Sequence, residues 1–399
     1  MEPEPLDKPI AFVVPWYGDD IAGGAERLCR EYVHQLSRTG LAVEVLTTCV
    51  RDFAGNWNKN HYPAKTVEKQ GIKLRRFPAR RRDSHQFDMV NFKLLNNLSV
   101  TANEEHVFFF ESVRSEQLEK FLAQEGRNYH LVFMPYCFGT TFEGLRQVNF
   151  NAFLLPCLHK ERYAMLRGSF KMHESVRGLI FNSESEQKLA SSLYAIEHIP
   201  QIVLGMGIEA HEPVGPELFR AEFALERPYL LYLGRMDPTK NTHVLVGYFA
   251  QYLADNPDSR LDLVLLGHGD VEVPEGIAPR VHKGGYVSDE LKRSALAGAE
   301  MLVQPSARES FSIVLMEAWM AGTPVVVNEY CTVGVEHCRR SNGGLYFGNF
   351  VEFEGVVRLL SEERSLAQQL AANGRRYALE NYGWERLVRG LVRFIRENA

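Results

Sequence analysis

At 399 residues the chain is longer than one compact core usually spans, so two domains are expected. Its 45% hydrophobic and 24% charged content is that of an ordinary soluble globular protein, and a formal net charge of −5 excludes any global argument for nucleic acid or an anionic membrane. Six scattered cysteines (29, 49, 137, 157, 331 and 338), without a C-x-x-C pair or a Cys/His cluster at zinc-ligand spacing, exclude a zinc module and point to reduced, buried thiols. The chain opens on MEPEPLDKP, acidic and proline-rich, where a signal peptide would need a basic start and an apolar core. No apolar run approaches the ~18 to 20 residues that cross a bilayer. A cytoplasmic setting is expected, with any membrane contact peripheral.

From there, short apolar or β-branched runs alternate with segments of helical length. Strands are expected at 10–15 (IAFVVP), 42–48, 130–135, 152–157, 178–183 and 202–207, and then at 229–234 (YLLYLG), 261–267, 300–306 and 323–328. Between them lie amphipathic stretches such as 25–40 and 242–257. Continuous apolar strands alternating with helices predict an α/β fold with parallel sheets covered on both faces. A polar, proline-containing break divides the pattern. The expected organisation is a doubly wound domain over 1–207, a linker over 208–228, a second doubly wound domain over 229–378 and a terminal helix over 379–399.

Ligands of doubly wound sheets bind beyond the carboxyl ends of the strands, so residues just after strands carry the information. Gly23 and Gly24 follow the first strand where a loop enters a helix; they serve either a phosphate or a flexible turn. Arg235 and Lys240 follow strand 229–234 in a loop containing Pro238, and two cations there either grip a diphosphate or stand in solvent. Gly267 and Gly269 flank His268 at the end of strand 261–267, fitting either close ligand approach or a tight turn. The stretch PSARESFSIVLMEAWMAGTPVVV (305–327) predicts a helix beginning near Ser310 to Ser312, with the amides of Ser310, Phe311, Ser312 and Ile313 pointing outward as a seat for an anion. Glu309 would stand at its mouth. Glu317 would lie roughly 8 Å further along the axis. Its neighbours Val314, Leu315, Met316, Ala318 and Trp319 are apolar, so the carboxylate needs donors, which ribose hydroxyls would supply; without them, removing the charge should cost the empty protein nothing. Gly322 is placed to end the helix and Pro324 forbids its continuation.

Together GGAER (23–27), LYLGRMDPTKN (231–241), LLGHGD (265–270), VHKGGYVSDEL (281–291), the 305–327 stretch, NGGLYF (342–347) and ENYGWERL (380–387) resemble the glycosyltransferases of family 4. The resemblance implies the GT-B fold, two Rossmann-like domains facing a cleft, with the last helix crossing back onto the first domain. It implies a retaining transferase that moves a sugar from a nucleoside-diphosphate sugar, UDP- or GDP-linked, to a glycan, glycolipid or other glycoconjugate. By the family pattern Arg235 and Lys240 grip the diphosphate and Glu317 holds the ribose. Glu309, with the amides of Phe311 and Ser312, meets the donor sugar and phosphates, while Gly23 and Gly24 lie beneath the phosphates. His159, in LLPCLHKERYAM, matches a histidine beside the donor sugar; relatives often follow it with Asp, where this chain has Lys160 and Glu161. No cofactor and no metal is expected, because no Asp-x-Asp occurs and the two cations can neutralise the leaving group. Retention without an obvious nucleophile favours same-face attack.

Two rivals share the fold: an epimerase acting on a sugar nucleotide without transfer, and a catalytically silent nucleotide-binding protein. A dehydrogenase is disfavoured, since no G-x-G-x-x-G follows the first strand. The run RRFPARRRD (75–83) holds five arginines within nine residues. As a segment from Arg75 to Arg82 it reads either as a solvated loop or as a docking patch for a phospholipid surface or a lipid-linked acceptor.

Overall fold

The computed structural model describes residues 6–399 except 20, 22, 210, 211 and 213. The first five residues and three positions of the expected linker therefore lie outside the described residues. Contacts divide the chain into two compact units, one formed by Met1–Gly207 with Trp384–Ala399 and the other by Ile208–Gly383.

The first unit runs β1 (Ile10–Val14), α1 (Gly24–Arg38), β2 (Val43–Thr48), β3 (Thr66–Lys69), β4 (Ile72–Phe77), α2 (Ser84–Leu95), α3 (Ala102–Phe110), α4 (Glu116–Glu125), β5 (His130–Phe133), α5 (Gly139–Gln147), β6 (Phe153–Leu154), α6 (Arg167–Ser175), β7 (Gly178–Phe181), α7 (Glu184–Leu193) and β8 (Gln201–Val203). Its eight strands stand in the order β3-β4-β2-β1-β5-β6-β7-β8, all parallel except the edge pair β3–β4. Every residue of β1, β2 and β5 is buried, which is why these strands read as unbroken apolar runs rather than as alternations.

The second unit runs α8 (Glu217–Glu222), β9 (Tyr229–Leu233), α9 (Thr242–Asp255), β10 (Asp262–Leu266), β11 (Val281–Gly285), α10 (Asp289–Gly298), β12 (Met301–Gln304), α11 (Ile313–Met320), β13 (Val325–Asn328), α12 (Thr332–Ser341), β14 (Gly344–Phe347), α13 (Phe350–Glu362) and α14 (Arg364–Asn381). Its six parallel strands stand in the order β11-β10-β9-β12-β13-β14. This is a doubly wound sheet whose strand order reverses between β9 and β12. Part of the expected linker is structured: α8 buries Phe219, whose backbone N–H donates to the Ser294 hydroxyl of α10 at 2.9 Å. The last helix, α15 (Trp384–Asn398), begins later than expected, residues 379–383 staying with the second unit. It buries Trp384, Leu387, Val388, Leu391, Val392, Phe394 and Ile395, and Trp384 meets Tyr32 of α1 edge-on at 5.2 Å.

Four strands were not expected: β3, β4, β11 and β14. In β4, IKLRRF, the arginines look like loop material, yet Arg75 bonds the nearly buried Glu44 at 2.8 Å and lies over Phe121, and Arg76 lies over Tyr62. The other three are four or five residues long and half exposed, with glycine in two of them.

Helix α11 is buried against α14 through the fully buried Trp319, whose indole N–H donates to the Gly343 carbonyl at 2.8 Å. A Cβ on Gly374 of α14 would stand 2.3 Å from that ring, whereas one on Gly355 of α13 would meet nothing within 4 Å. Gly374→Ala is expected to lower stability by about 1 to 3 kcal/mol through overpacking, despite alanine's preference for helix. Gly355→Ala is expected to raise it by about 0.5 to 1 kcal/mol. Urea unfolding of both variants checks this, and effects of equal sign would contradict the packing described.

Candidate active site

In the second sheet β9 and β12 are neighbours whose following loops leave in opposite directions, opening a crevice at the carboxyl edge. The loop after β9 is built by Asp237, whose carboxylate accepts from the amides of Thr239 at 2.8 Å and Lys240 at 3.2 Å and caps the short turn Pro238–Lys240. Burial pulls the Asp237 carboxyl upward, but the Thr239 hydroxyl and Arg235 outweigh it and hold the group below its ordinary range. Asn241 follows in the left-handed region and donates to the Pro305 carbonyl of the loop after β12 at 3.1 Å. The two loops are thus tied, and across them Lys240 Nζ meets Glu309 Oε1 at 2.6 Å with both side chains largely buried. Arg235, more than half exposed, stands 3.5 Å from Asp237.

Gly267 and Gly269 have φ of +141° and +96°. A Cβ at either would stand 1.9 Å from the Gly234 carbonyl oxygen or 2.5 Å from that of Met236. These glycines let the loop after β10 cross the chain's own loop after β9, where Met236 N–H donates to the His268 carbonyl at 2.7 Å. Close approach is real, but it is the protein's own backbone that approaches.

Helix α11 starts at Ile313, later than expected, and Ser312 precedes it with φ 61° and ψ 64°. The cause lies in Phe311. Its ring packs edge-on against His337 and Tyr382 at 5.2 and 5.0 Å, and His337 Nε2 lies 3.0 Å from its carbonyl oxygen. His337 is fully buried, and burial lowers it to about 4, so the ring is neutral near pH 7. It therefore donates from Nε2 to Phe311 and accepts at Nδ1 from the Tyr377 hydroxyl at 3.1 Å. Held this way, Ser310 and Phe311 lie outside the helix, and the Phe311 side chain belongs to the core. The helix N-terminus is formed by Ser312, Ile313 and the residues after them. The Ser312 hydroxyl, buried there, has no hydrogen-bond partner among the described residues.

Glu317 does not wait for a ligand to supply a donor. Lys292 of α10 reaches its Oε1 at 2.8 Å and also meets Asp289 at 2.9 Å. The premise that the empty protein leaves this carboxylate without a partner is contradicted by this pair. Gly322 takes φ +80° just past the helix, as its position predicted.

His159, Gly23 and Gly24 belong to the first unit. Gly23, at φ +139°, precedes α1, and a Cβ there would stand 2.0 Å from Glu26 Oε2. The Glu26 carboxylate, which accepts from the Trp16 indole at 2.7 Å, already lies over Gly23, the place expected for a phosphate. Gly24 has open space around it. His159 stands in the loop after β6, its Nδ1 3.9 Å from Glu161, which accepts from the buried Tyr136 hydroxyl at 2.9 Å.

Most of the arginine run is packed rather than solvated. Arg80 pairs with Glu111 at 2.6 Å and lies over Phe110, while Arg82 covers the rings of Trp57 and Phe87. With Arg75 over Phe121 and Arg76 over Tyr62 in β4, four of the five cations serve packing by stacking on aromatic faces, while Arg81 stays exposed. Exposed apolar side chains lie just beyond, at Met89, Phe92, Leu95 and Leu98. Among the described residues no group of His, Cys, Asp and Glu is placed to hold a metal ion, and no helix is long and apolar enough to cross a membrane. All six cysteines are unpaired, five of them buried.

Lys292, His337 and Tyr377 were not expected. Lys292 and Glu317 are 25 positions apart and meet only through the packing of α10 on α11; the sole signal was that a carboxylate on an apolar helix must have a donor somewhere. Lys292→Met should lower the stability of the ligand-free protein by about 1 to 3 kcal/mol by stranding that carboxylate. Lys292→Met with Glu317→Gln should recover about 1 kcal/mol of it. Urea unfolding of the two single variants and the double completes the cycle, and strict additivity would show that the pair contributes nothing.

Residues 227–362 match the family model of the glycosyl transferases group 1. The chain is 25% identical over 238 residues to the D-inositol 3-phosphate glycosyltransferase of Rhodococcus erythropolis, covering 55% of this chain and 54% of that protein. It is 38% identical over 106 residues to the phosphatidyl-myo-inositol mannosyltransferase of Mycobacterium tuberculosis, covering 25% of this chain and 28% of that one. The match to the inositol phosphate glycosyltransferase thus spans about half of the relative's length. In fold, the chain is similar to the sucrose-phosphate synthase of Thermosynechococcus elongatus (TM-score 0.72, 18% identity, 98% of both chains). It is also similar to Anabaena HepE in complex with UDP and glucose (TM-score 0.69, 15% identity, 98% of this chain and 100% of the other). Residues 227–362 are thus similar to the glycosyl transferases of group 1, and the chain as a whole shares the GT-B fold of these solved structures.

Proposed function

We propose that the protein is a retaining glycosyltransferase that moves a hexose-type sugar from a UDP- or GDP-linked donor to a hydroxyl of a glycan, glycolipid or other glycoconjugate. The observation that carries this reading is the Lys240–Glu309 pair between the loops after β9 and β12, at the switch point of the second sheet, with Glu309 three residues ahead of the Ser312 hydroxyl that has no partner among the described residues. A cation, a hydroxyl and the free amides of the α11 end are carried on these two loops, the groups that recognition of a diphosphate requires. The complex of HepE with UDP and glucose, and relatives named for inositol phosphate acceptors, support a nucleotide-sugar donor and an alcohol acceptor.

On this reading the diphosphate takes over Lys240 from Glu309. The freed carboxylate turns to the sugar hydroxyls, and Arg235 folds onto the phosphates. Glu317 presents to the ribose the oxygen that Lys292 does not hold. The acceptor hydroxyl attacks the anomeric carbon on the face from which the diphosphate departs, and the departing phosphate oxygen takes the hydroxyl proton. Arg235, Lys240 and the α11 amides stabilise the charge that develops on the leaving group. By the family resemblance His159 is assigned to the donor sugar. An epimerase or a silent binding protein would fail to yield the glycosylated product.

Incubation with a panel of sugar nucleotides and acceptors, following nucleoside diphosphate release and product, tests the reading. Lys240→Ala and Arg235→Ala should each reduce turnover by about 10²-fold or more, the usual loss when one donor to developing charge is removed; retention of activity within threefold in both would refute the assignment. Glu317→Gln should weaken nucleoside diphosphate binding by about 1.5 to 3 kcal/mol in calorimetry, whereas Glu309→Gln should lose turnover more than binding. Turnover should persist in EDTA; complete loss that magnesium or manganese restores would assign the charge neutralisation to a metal.

A further inference from the structure

The segment that carries His159 is held more tightly than a loop after a two-residue strand needs to be. Leu155 N–H donates to the Phe133 carbonyl at 2.9 Å, and the Pro156 carbonyl accepts from Tyr136 N–H at 3.1 Å. Cys157 then turns through the left-handed region at φ 53°, a conformation that a non-glycine residue keeps only when its surroundings impose it. The next peptide is where Glu186 of α7 acts. One carboxylate oxygen accepts from Leu158 N–H at 2.5 Å and the other from Asn182 N–H at 2.5 Å, so a single side chain binds the loop after β6 to the loop after β7. The Asn182 amide adds a contact to the Cys157 sulfur at 3.7 Å.

Glu186 is 1% exposed. By sequence it is the fourth residue of a Ser-x-x-Glu capping box, and Ser183 indeed accepts from its amide at 3.1 Å. Helix capping, however, would send the carboxylate back to the Ser183 amide and would not need Leu158. Burial raises the Glu186 carboxyl to about 8 although the Asn182 and Leu158 amides act to lower it. A buried acid costs several kcal/mol unless its oxygens are satisfied, so its retention here calls for a purpose that a cap alone does not supply. The residue after Leu158 is His159. On its far side the chain is anchored again by the Tyr136–Glu161 hydrogen bond.

We propose that Glu186 is a positioning residue for His159, fixing the peptide in front of that imidazole through the Leu158 amide. The proposal rests on the part assigned to His159 above and deepens it. In Glu186→Gln the side chain keeps its volume, but its amide nitrogen must face one of the two N–H groups, and that bond is lost.

The test uses the whole 399-residue chain with labelled histidine, and His159→Gln assigns the His159 ring signal. In Glu186→Gln the His159 C2–H resonance should shift while those of other histidines hold; an unmoved resonance overturns the proposal whatever the activity. In sugar-nucleotide turnover, Glu186→Gln should lower kcat at least about tenfold with KM for the donor within about twofold. The double variant with His159→Gln should be no slower than the slower single variant. Retained kcat, or losses that multiply in the double variant, would show that Glu186 does not act through His159. Full activity of His159→Gln sinks both the part given to His159 and the proposal. If the parent protein turns over no sugar nucleotide, the proposed function fails and the resonance alone decides the positioning. Should Glu186→Gln fail to fold, Glu186→Asp, one methylene too short to span both amides, is put through the same measurements.

Discussion

Parallel strands deliver every connection that follows them to one edge of the sheet, and both sheets of this protein inherit their chemistry from that constraint. In the second sheet the loops after β9, β10 and β12 must share the carboxyl edge, and they do so by crossing. The loop after β10 passes over the loop after β9 so closely that Gly267 and Gly269 admit no side chain. Asn241 and Asn328 both donate to the Pro305 carbonyl, at 3.1 and 2.8 Å, and knit the β9, β12 and β13 ends together. The Lys240–Glu309 contact is the product of this crowding: two loops that diverge from adjacent strands meet again through their side chains. The same constraint in the first sheet puts the loops after β6 and β7 side by side, where one carboxylate can serve both.

Charge in the second unit's crevice is balanced before any ligand arrives. Lys240 answers Glu309, Lys292 answers Glu317 and Asp289, and Arg235 leans on Asp237. Half-buried charges cannot stand alone at low cost, so on the proposed function a ligand would exchange partners here rather than fill a waiting hole. Such exchange would make affinity modest for a fragment and larger for a ligand that engages every pair, since each carboxylate released from a lysine would need hydroxyls to receive it. The Ser312 hydroxyl stands apart, because nothing within the described residues competes for it.

What was legible in the sequence follows from where the physics is local. Strands buried on both faces announce themselves as apolar runs, so β1, β2, β9, β10, β12 and β13 were readable, and Gly322 and Pro324 mark the end of α11 by backbone preference alone. Loop residues after strands could be singled out too, because the topology dictates where ligands of such sheets lie. What failed was non-local. Arg75 and Arg76 look like solvent-exposed cations until Phe121, Glu44 and Tyr62 are brought beneath them. The start of α11 is displaced by His337, 26 positions from the carbonyl it binds. Lys292 and Glu186 reach their partners across 25 and 28 positions, and no periodicity encodes such a meeting.

The burial of His337 has a consequence for behaviour in acid. His337 and His173 are both wholly enclosed, and burial lowers each to about 4 from an ordinary 6.5. Below pH 6.5 the unfolded chain takes up protons at these two positions that the native fold declines, so folding free energy drains away as the pH falls from 6.5 toward 4. For His337 the proton would also reverse Nδ1 from acceptor to donor, setting it against the Tyr377 hydroxyl that now donates to it. The relay ends at the Phe311 carbonyl, one residue from Ser312. Acid would therefore bear on the turn that opens α11, linking proton uptake in a buried aromatic shell to the order of that helix start.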